Sequence, residues 1–195
     1  MREGSQFYRI GFDMDGVLID HTEIRIRLAK EIGFFLSPEQ TPSDILRTII
    51  PKDKRSVLQN TLYNNPQVAL EAQIMDGAYE GISILAHAGL SIFLISRRKD
   101  PQLAIRLLSK HKLWPDYFNE ENTYFVAEIE DKNEKAKVFQ LTHYIDDEEG
   151  VLNALVDVPN KILFDQHNAS ENNTYRRIND WESLIEHLLN ENPSH

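Results

Sequence analysis

The stretch "YRIGFDMDGVLID", Tyr8 to Asp20, constrains the fold more than any other. An apolar, strand-prone run stops at two aspartates, Asp13 and Asp15, one residue apart. A glycine and a second apolar run follow. A buried strand can end in two acids where it reaches the carboxyl edge of an open α/β sheet, the edge at which such sheets bind ligands. The rest of the chain supplies the partner strands. "FYRIGF" (Phe7–Phe12), "LSIFLIS" (Leu90–Ser96), "TYFVAEI" (Thr123–Ile129), "THYID" (Thr142–Asp146) and "KILFD" (Lys161–Asp165) are short apolar runs, each followed by helical spacing. Strands alternating with helices predict an α/β fold with a parallel sheet covered on both faces.

The segment from Ile19 to Ile74 has a different character. "TEIRIRLAKEIGFFL", "PSDILRTII" and "KDKRSVLQNTLYNN" carry helical spacing, punctuated by Pro38, Pro42, Pro51 and Pro66. It reads as a helical insertion, residues 19–74, dividing a core made of residues 1–18 and 75–195. Gly77 marks the return to the core. The tail "INDWESLIEHLLNE" is an amphipathic helix with Trp181, Leu184, Ile185, Leu188 and Leu189 on one face.

Composition narrows the class of function. At 195 residues and 41% hydrophobic, the chain can bury a core and a modest insertion. No apolar run approaches the roughly 20 residues of a membrane helix. The N-terminal segment lacks a signal-peptide core, and there are no cysteines for disulfides or thiolate metal sites. A cytoplasmic protein is expected. The net charge of −10 argues against a general nucleic-acid or membrane surface and leaves room for a small phosphorylated substrate. The sequence says nothing of oligomeric state.

Three strands deliver polar side chains to one edge. Asp13 and Asp15 close the first, Ser96 the second, Asp146 and Asp147 the "HYIDD" strand, and the lysine-rich "DKNEKAKVF" lies between the last two. Any one of these acids could merely cap a helix. Capping does not call for two acids around one residue, then a hydroxyl, a lysine and an acid pair on successive strands.

In that order and spacing the chain resembles the haloacid dehalogenase (HAD) superfamily of phosphohydrolases. The Asp-x-Asp-x-Val motif is "DMDGV", the strand-ending hydroxyl is Ser96, the lysine is one of Lys132, Lys135 and Lys137, and the acid pair is "IDD". Lys135 is favoured, since "EKAKV" lies about ten residues before the acid pair; Lys132 is the alternative. The resemblance implies a three-layer Rossmann-like core with strand order 3-2-1-4-5, Asp13 on the central strand, and residues 19–74 as a small helical cap. It implies phosphomonoester hydrolysis with Asp13 as nucleophile and Asp15 as general acid and base. Ser96, Lys135 and Arg97 would bind phosphate. Mg²⁺ would be held by Asp13, Asp15 (through its backbone carbonyl), Asp146 and Asp147.

The C-terminal third is similar to the cytosolic 5'(3')-deoxyribonucleotidase group, through "KILFDQHN", the tryptophan-bearing last helix and "DK…YIDD". That resemblance implies a nucleoside or deoxynucleoside 5'-monophosphate as substrate. A sugar or metabolite phosphate is the alternative, and a phospho-ligand-binding pseudoenzyme is the non-enzymatic one. Signalling receiver domains use similar residues, but their acid pair comes first and here it comes last. In the insertion, Phe34 and Phe35 could stack on a base or could form the insertion's own core. Of Arg97 and Arg98, at least one is expected at the surface, paired with an acid. His143 is expected to be packed, His167 and Asn168 to form a turn, Glu148 and Glu149 to open a helix, and Gly16 to allow a sharp turn.

Overall fold

The structure is a computed structural model that describes residues 8–98, 100–171 and 173–191. Phe7, the expected start of the first strand, lies outside the described residues. Strand β1 (Arg9–Phe12) leads to a short strand β2 (Ile19–Asp20) and then to helices α1 (Thr22–Glu31), α2 (Ser43–Ile49), α3 (Lys52–Asn64) and α4 (Pro66–Ala69). Strand β3 (Gln73–Ile74) closes this excursion by pairing antiparallel with β2, so the insertion leaves and returns through a two-stranded neck. There follow α5 (Ala78–His87), β4 (Ser91–Arg97), α6 (Pro101–Lys110), β5 (Thr123–Val126) and α7 (Ile129–Val138). The chain ends with β6 (His143–Asp146), α8 (Glu149–Ala154), β7 (Asn160–Phe164), β8 (Arg176–Ile178) and α9 (Trp181–Asn190).

The main sheet runs β5-β4-β1-β6-β7-β8, with every pairing parallel. Its first five strands, numbered along the chain, stand in the expected order 3-2-1-4-5. The sixth, β8, was not anticipated. It is a three-residue edge strand whose Arg176 and Arg177 are exposed, so it carries no apolar pattern. The third apolar run of the sequence, Thr123–Ile129, is shorter than expected at its far end. The strand it forms, β5, stops at Val126 because Glu128 caps α7, with the Asp131 carboxylate accepting from the Glu128 N–H at 3.1 Å.

Alternation along the strands assigns the two faces. Ile10, Phe12, Ile92 and Leu94 face a core shared with α5, α6 and α9; Phe93, Ile95 and Tyr144 face a second core under α7 and α8. Helices on both faces make the three layers. Ile24, Leu28, Leu46 and Leu62 of the insertion continue the first core, so the insertion is packed onto the sheet domain. No helix among the described residues is long and apolar enough to cross a membrane.

Trp181 ties the last helix to the loop after β1. Its ring stacks on Phe12 with centroids 5.6 Å apart, and its Nε1–H donates to the Val17 carbonyl at 2.9 Å. This loop carries Asp15 and Gly16, so α9 holds the shape of the site from behind. Replacing Trp181 by Phe keeps an aromatic ring and orphans one buried carbonyl. The expected cost is about 1–3 kcal/mol, read as a lower denaturant midpoint at unchanged m-value in urea unfolding.

Candidate active site

Asp13 is the first residue beyond β1, and its N–H still donates to the Ile145 carbonyl of β6 at 2.9 Å. The sheet ladder therefore fixes its backbone. The chain then turns sharply: Gly16 N–H donates to the Ile19 carbonyl at 2.8 Å with Gly16 at φ +81°. A Cβ at Gly16 would lie 2.2 Å from Asp147 Oδ2, so the position needs both the left-handed backbone and the missing side chain. That turn brings Asp15 back beside Asp13. The parallel register sets Ser96 of β4 and Asp146 of β6 at the same edge.

The central cation is Lys132, in the first turns of α7. Its Nζ donates to Asp13 at 2.8 Å and to Asp146 at 2.9 Å, and the residue is buried. The expectation for Lys135 is corrected here. Lys135 lies three residues, about 4.5 Å, farther along the helix, and its ammonium sits over the Tyr124 ring, 5.2 Å from the centroid. Lys137 faces outward near Asp157. Only the first turns of α7 reach the ends of β1 and β6, which selects Lys132. Chain distance to the acid pair does not measure position along α7.

The expected phosphate ligands divide. Ser96 is buried at this edge, and its Oγ finds no partner among the described residues. Arg97 lies exposed at the rim. Arg98, the neighbour, turns inward, is buried and ion-pairs with Asp15. Its Nε is unpartnered, and its guanidinium lies 4.4 Å from the centroid of Tyr63. Three residues of the insertion join the site, none visible as a motif. His21 Nε2 lies 2.6 Å from Asp15. Arg25 donates to the Thr41 carbonyl at 2.9 Å and to the Tyr63 hydroxyl at 3.0 Å. Tyr63 thus touches both arginines. The only sequence signal for Arg98 was the "RR" after Ser96. His21, Arg25 and Tyr63 are brought there by tertiary packing alone.

Burial and charge set the protonation of these groups. Burial pushes the Asp13 carboxyl up, against the pull of Lys132. It raises Asp146 to about 7, again against Lys132, and raises Asp147 well above the usual carboxylate range, with Glu148 and Asp146 adding to the effect. Burial would raise Asp15 too, but Arg98 and then His21 outweigh it and hold Asp15 well below the usual range, as a carboxylate. Burial would lower Lys132; Asp13 and Asp146 outweigh it and keep the ammonium charged. His21 is pushed down by burial, so it is the neutral imidazole, with Nε2–H facing Asp15 and Nδ1 unpartnered.

Asp13, Asp146 and Asp147 each offer an oxygen, all within 4.8 Å of one another. One ammonium cannot neutralise three carboxylates, two of them buried and the third half-buried, which is why their proton affinities rise. A divalent cation would relieve this, and an all-oxygen donor set suits a hard ion such as Mg²⁺. These residues therefore fit the group that the sequence implied.

Beside them is a polar chamber of about 60 Å³ lined in part by Asp13, Asp15, Arg25, Ser96, Lys132 and Asp147. That volume holds roughly four or five water-sized positions, enough for the four oxygens of one phosphate. Phe34 and Phe35 do not line it. Phe34 packs on the insertion under Lys54, and Phe35 is 81% exposed. His143 is buried and stacked on Tyr8, Asn168 adopts φ +52° in a turn, and His167 Nε2 lies 3.0 Å from Thr22 Oγ1.

No family model matches the chain, and no curated protein matches it. Solved structures do share its fold. It is similar to a HAD family hydrolase from Deinococcus radiodurans R1 with bound phosphate and sodium, at TM-score 0.62 and 16% identity over 96% of this chain and 97% of that one. It is similar to a protein from Clostridium acetobutylicum described as a predicted phosphatase, at TM-score 0.63 and 15% identity over 94% and 99%. A HAD hydrolase of family IA, variant 3, from Entamoeba histolytica matches at TM-score 0.61 and 16% identity over 91% and 95%. At such identities the likeness establishes the fold: a Rossmann-like α/β core of the kind found in HAD hydrolases.

Two outcomes are expected. Lys132→Met should lower activity by about 10²-fold or more, whereas Lys135→Met should stay within about twofold; phosphate release from an aryl ester compares them. The second concerns metal and pH. The stability that Asp146 contributes to the metal-free protein is complete below its unfolded pKa of 3.8 and is lost as pH rises through about 7. Magnesium must displace that proton, so the stabilisation it confers grows over the same interval. Thermal unfolding should show a larger magnesium-induced rise in Tm at about pH 8 than at about pH 5.

Proposed function

We propose that this protein is a Mg²⁺-dependent phosphomonoester hydrolase that works through an aspartyl-phosphate on Asp13. The observation that carries the reading is the chamber itself: a nucleophilic carboxylate, a buried unpartnered hydroxyl on Ser96 and the Lys132 ammonium meet around a space the size of a phosphate. A phosphate dianion repels an approaching carboxylate, so the site must neutralise charge and hold the reactants in line. Lys132 and Ser96, which line the chamber, would do this. Asp13, Asp146 and Asp147, with the Asp15 backbone carbonyl, would hold the magnesium ion. When bound, magnesium supplies positive charge that screens the carboxylates and the phosphoryl oxygens.

Asp13 Oδ attacks phosphorus, and the bond to the ester oxygen breaks. Asp15, a carboxylate in the free site, takes the proton of a bound phosphate monoanion and passes it to the departing alkoxide. Asp15, now a carboxylate, takes a proton from water, which attacks the phosphorus of the aspartyl-phosphate and regenerates Asp13 with release of inorganic phosphate. Arg98 and His21 orient the Asp15 carboxylate for this second step. A solved protein of the same fold is described with bound phosphate, which accords with the reading.

Two substrate classes compete, nucleoside 5'-monophosphates and small sugar or metabolite phosphates. The nucleotide reading is supported by the likeness of "KILFDQHN" and the last helix to the deoxyribonucleotidase group. Phe34 and Phe35 lend it nothing, because neither ring reaches the chamber, and Trp181 is committed to the core. A phosphate-release screen across both classes, run with and without magnesium, tests the proposal. Asp13→Asn should keep the fold and retain less than a tenth of wild-type turnover, a loss of at least about 1.4 kcal/mol of transition-state stabilisation. Asp15→Asn should slow the first step more for alkyl than for aryl esters, since a phenolate departs without a proton. Equal loss on both esters in single-turnover phosphorylation counts against Asp15 as the acid.

A further inference from the structure

The chamber is about the size of one phosphoryl group, so the alcohol being released extends out of it. Two spaces adjoin it. A cavity of about 430 Å³ shares Arg25 and Asp147 with the chamber. It lies behind the acid pair and is bordered by Asp20, Asp44, Glu149 and Asp165 as well as apolar side chains. A groove of about 550 Å³ shares Gln59, Tyr63 and Arg97 with the chamber and is also lined by Arg98. The ester oxygen has to meet Asp15, which is held by Arg98 on the groove side and by His21 on the cavity side. The cavity wall carries Asp20, Asp44, Asp147, Glu149, Asp165 and Glu171 against Arg25 and repels an anionic ester, whereas the groove carries Arg97 and Arg98 against Glu128, which favours the groove between α3 and the ends of β4 and β5 as the exit for the leaving group.

One wall of that groove is a stripe of α3. Ser56, Gln59, Asn60, Tyr63 and Asn64 follow the i, i+3, i+4, i+7, i+8 spacing of one helix face. On a helix packed against a domain this spacing ordinarily carries apolar side chains; here every member is a hydrogen-bonding one. Asn64 Nδ2 donates to Asn60 Oδ1 at 2.9 Å, which leaves the Asn60 amide donors and the Asn64 carbonyl with no other partner among the described residues. The Gln59 amide has no hydrogen-bond partner among the described residues. Ser56 Oγ donates to the Lys52 carbonyl at 2.8 Å and keeps its lone pairs. The opposite wall adds Arg97 and Glu128. Tyr63 is the only aromatic residue among the lining residues described. It already carries Arg98 over its ring, His21 against its edge with centroids 5.6 Å apart, and Arg25 on its hydroxyl.

We propose, on the premise that the protein is a phosphomonoesterase, that its leaving group is a compact polyhydroxylated alcohol, a sugar or polyol, recognised by the amide stripe of α3. A hydroxyl both donates and accepts, and interleaved amide donors and acceptors match it. A nucleobase would find no free aromatic plate. A site built to hydrogen-bond hydroxyls also rejects ligands that lack them, because its amides would be left unpaired.

The test is a phosphate-release panel with magnesium: hexose, pentose and glycerol phosphates, purine and pyrimidine nucleoside monophosphates, and an aryl phosphate. Wild type should show its highest kcat/KM on a sugar or polyol phosphate. Gln59→Leu and Asn60→Leu should each lower the ratio of kcat/KM for that ester to kcat/KM for the aryl ester by about tenfold, mostly through KM. Both positions lie at the surface of a helix, and Tm reports whether the fold survives. Preference for nucleoside monophosphates, lack of discrimination, or an unchanged ratio in both variants overturns the inference and leaves the phosphatase reading standing. No phosphate release from any ester overturns the reading beneath it.

Discussion

Four carboxylates share one sheet edge, and the fold is organised around making that tolerable. Asp13, Asp15, Asp146 and Asp147 converge where β1 and β6 end, three of them within reach of one cation. Buried charges are costly unless paired. Lys132 bridges Asp13 and Asp146, and Arg98 with His21 takes Asp15. These pairings constrain much else. The helix that carries Lys132 must start directly after β5, the Gly16 turn must be free of a side chain, and Arg98 must turn inward while Arg97 stays at the rim. Among the described residues Asp147 makes no ion pair, and burial, with Glu148 and Asp146 nearby, raises its proton affinity against the pull of Arg25. The site is thus assembled with a deficit of positive charge that a divalent cation and its ligand would complete.

The insertion contributes chemistry as well as cover. His21 and Arg25 come from the start of its first helix and Tyr63 from its third. Several contacts latch it onto the sheet domain around the site. Arg47 pairs with Glu148, Asp44 accepts from the Glu149 N–H at 3.1 Å, and the Gln166 side chain donates to Asp20 at 3.1 Å. Surface pairs of this kind are individually weak.

The sheet was legible because a parallel strand buried on both faces must be an apolar run, and the chain has five clear ones. β8 escaped because an edge strand of three residues with two exposed arginines has no such requirement. The acids and Ser96 were legible because each ends a strand, and strand ends in an open sheet share one edge. The sequence narrows the lysine to Lys132, Lys135 and Lys137 and does not distinguish among them by packing. Sequence spacing to the acid pair measures chain length, whereas the site selects for position along α7. Arg98, His21, Arg25 and Tyr63 could not be read at all as a group. Their side chains meet only when a helical insertion folds back over the sheet, and no local period encodes that. The same limit applies to Phe34 and Phe35, whose adjacency suggested a stacking surface that the packing of the insertion turns away from the chamber.

The central claim is that Asp13 is a nucleophile that becomes phosphorylated. It is tested most directly by acid-quenching the protein during turnover of an aryl phosphate and mapping the phosphoryl group by peptide mass spectrometry. The Asp15→Asn protein is the better sample, because slow hydrolysis lets the intermediate accumulate. The expected result is a phosphoryl group on Asp13 and on no other residue. Phosphate release at an undiminished rate without any phosphorylated peptide, or a phosphoryl group on a different side chain, would contradict it.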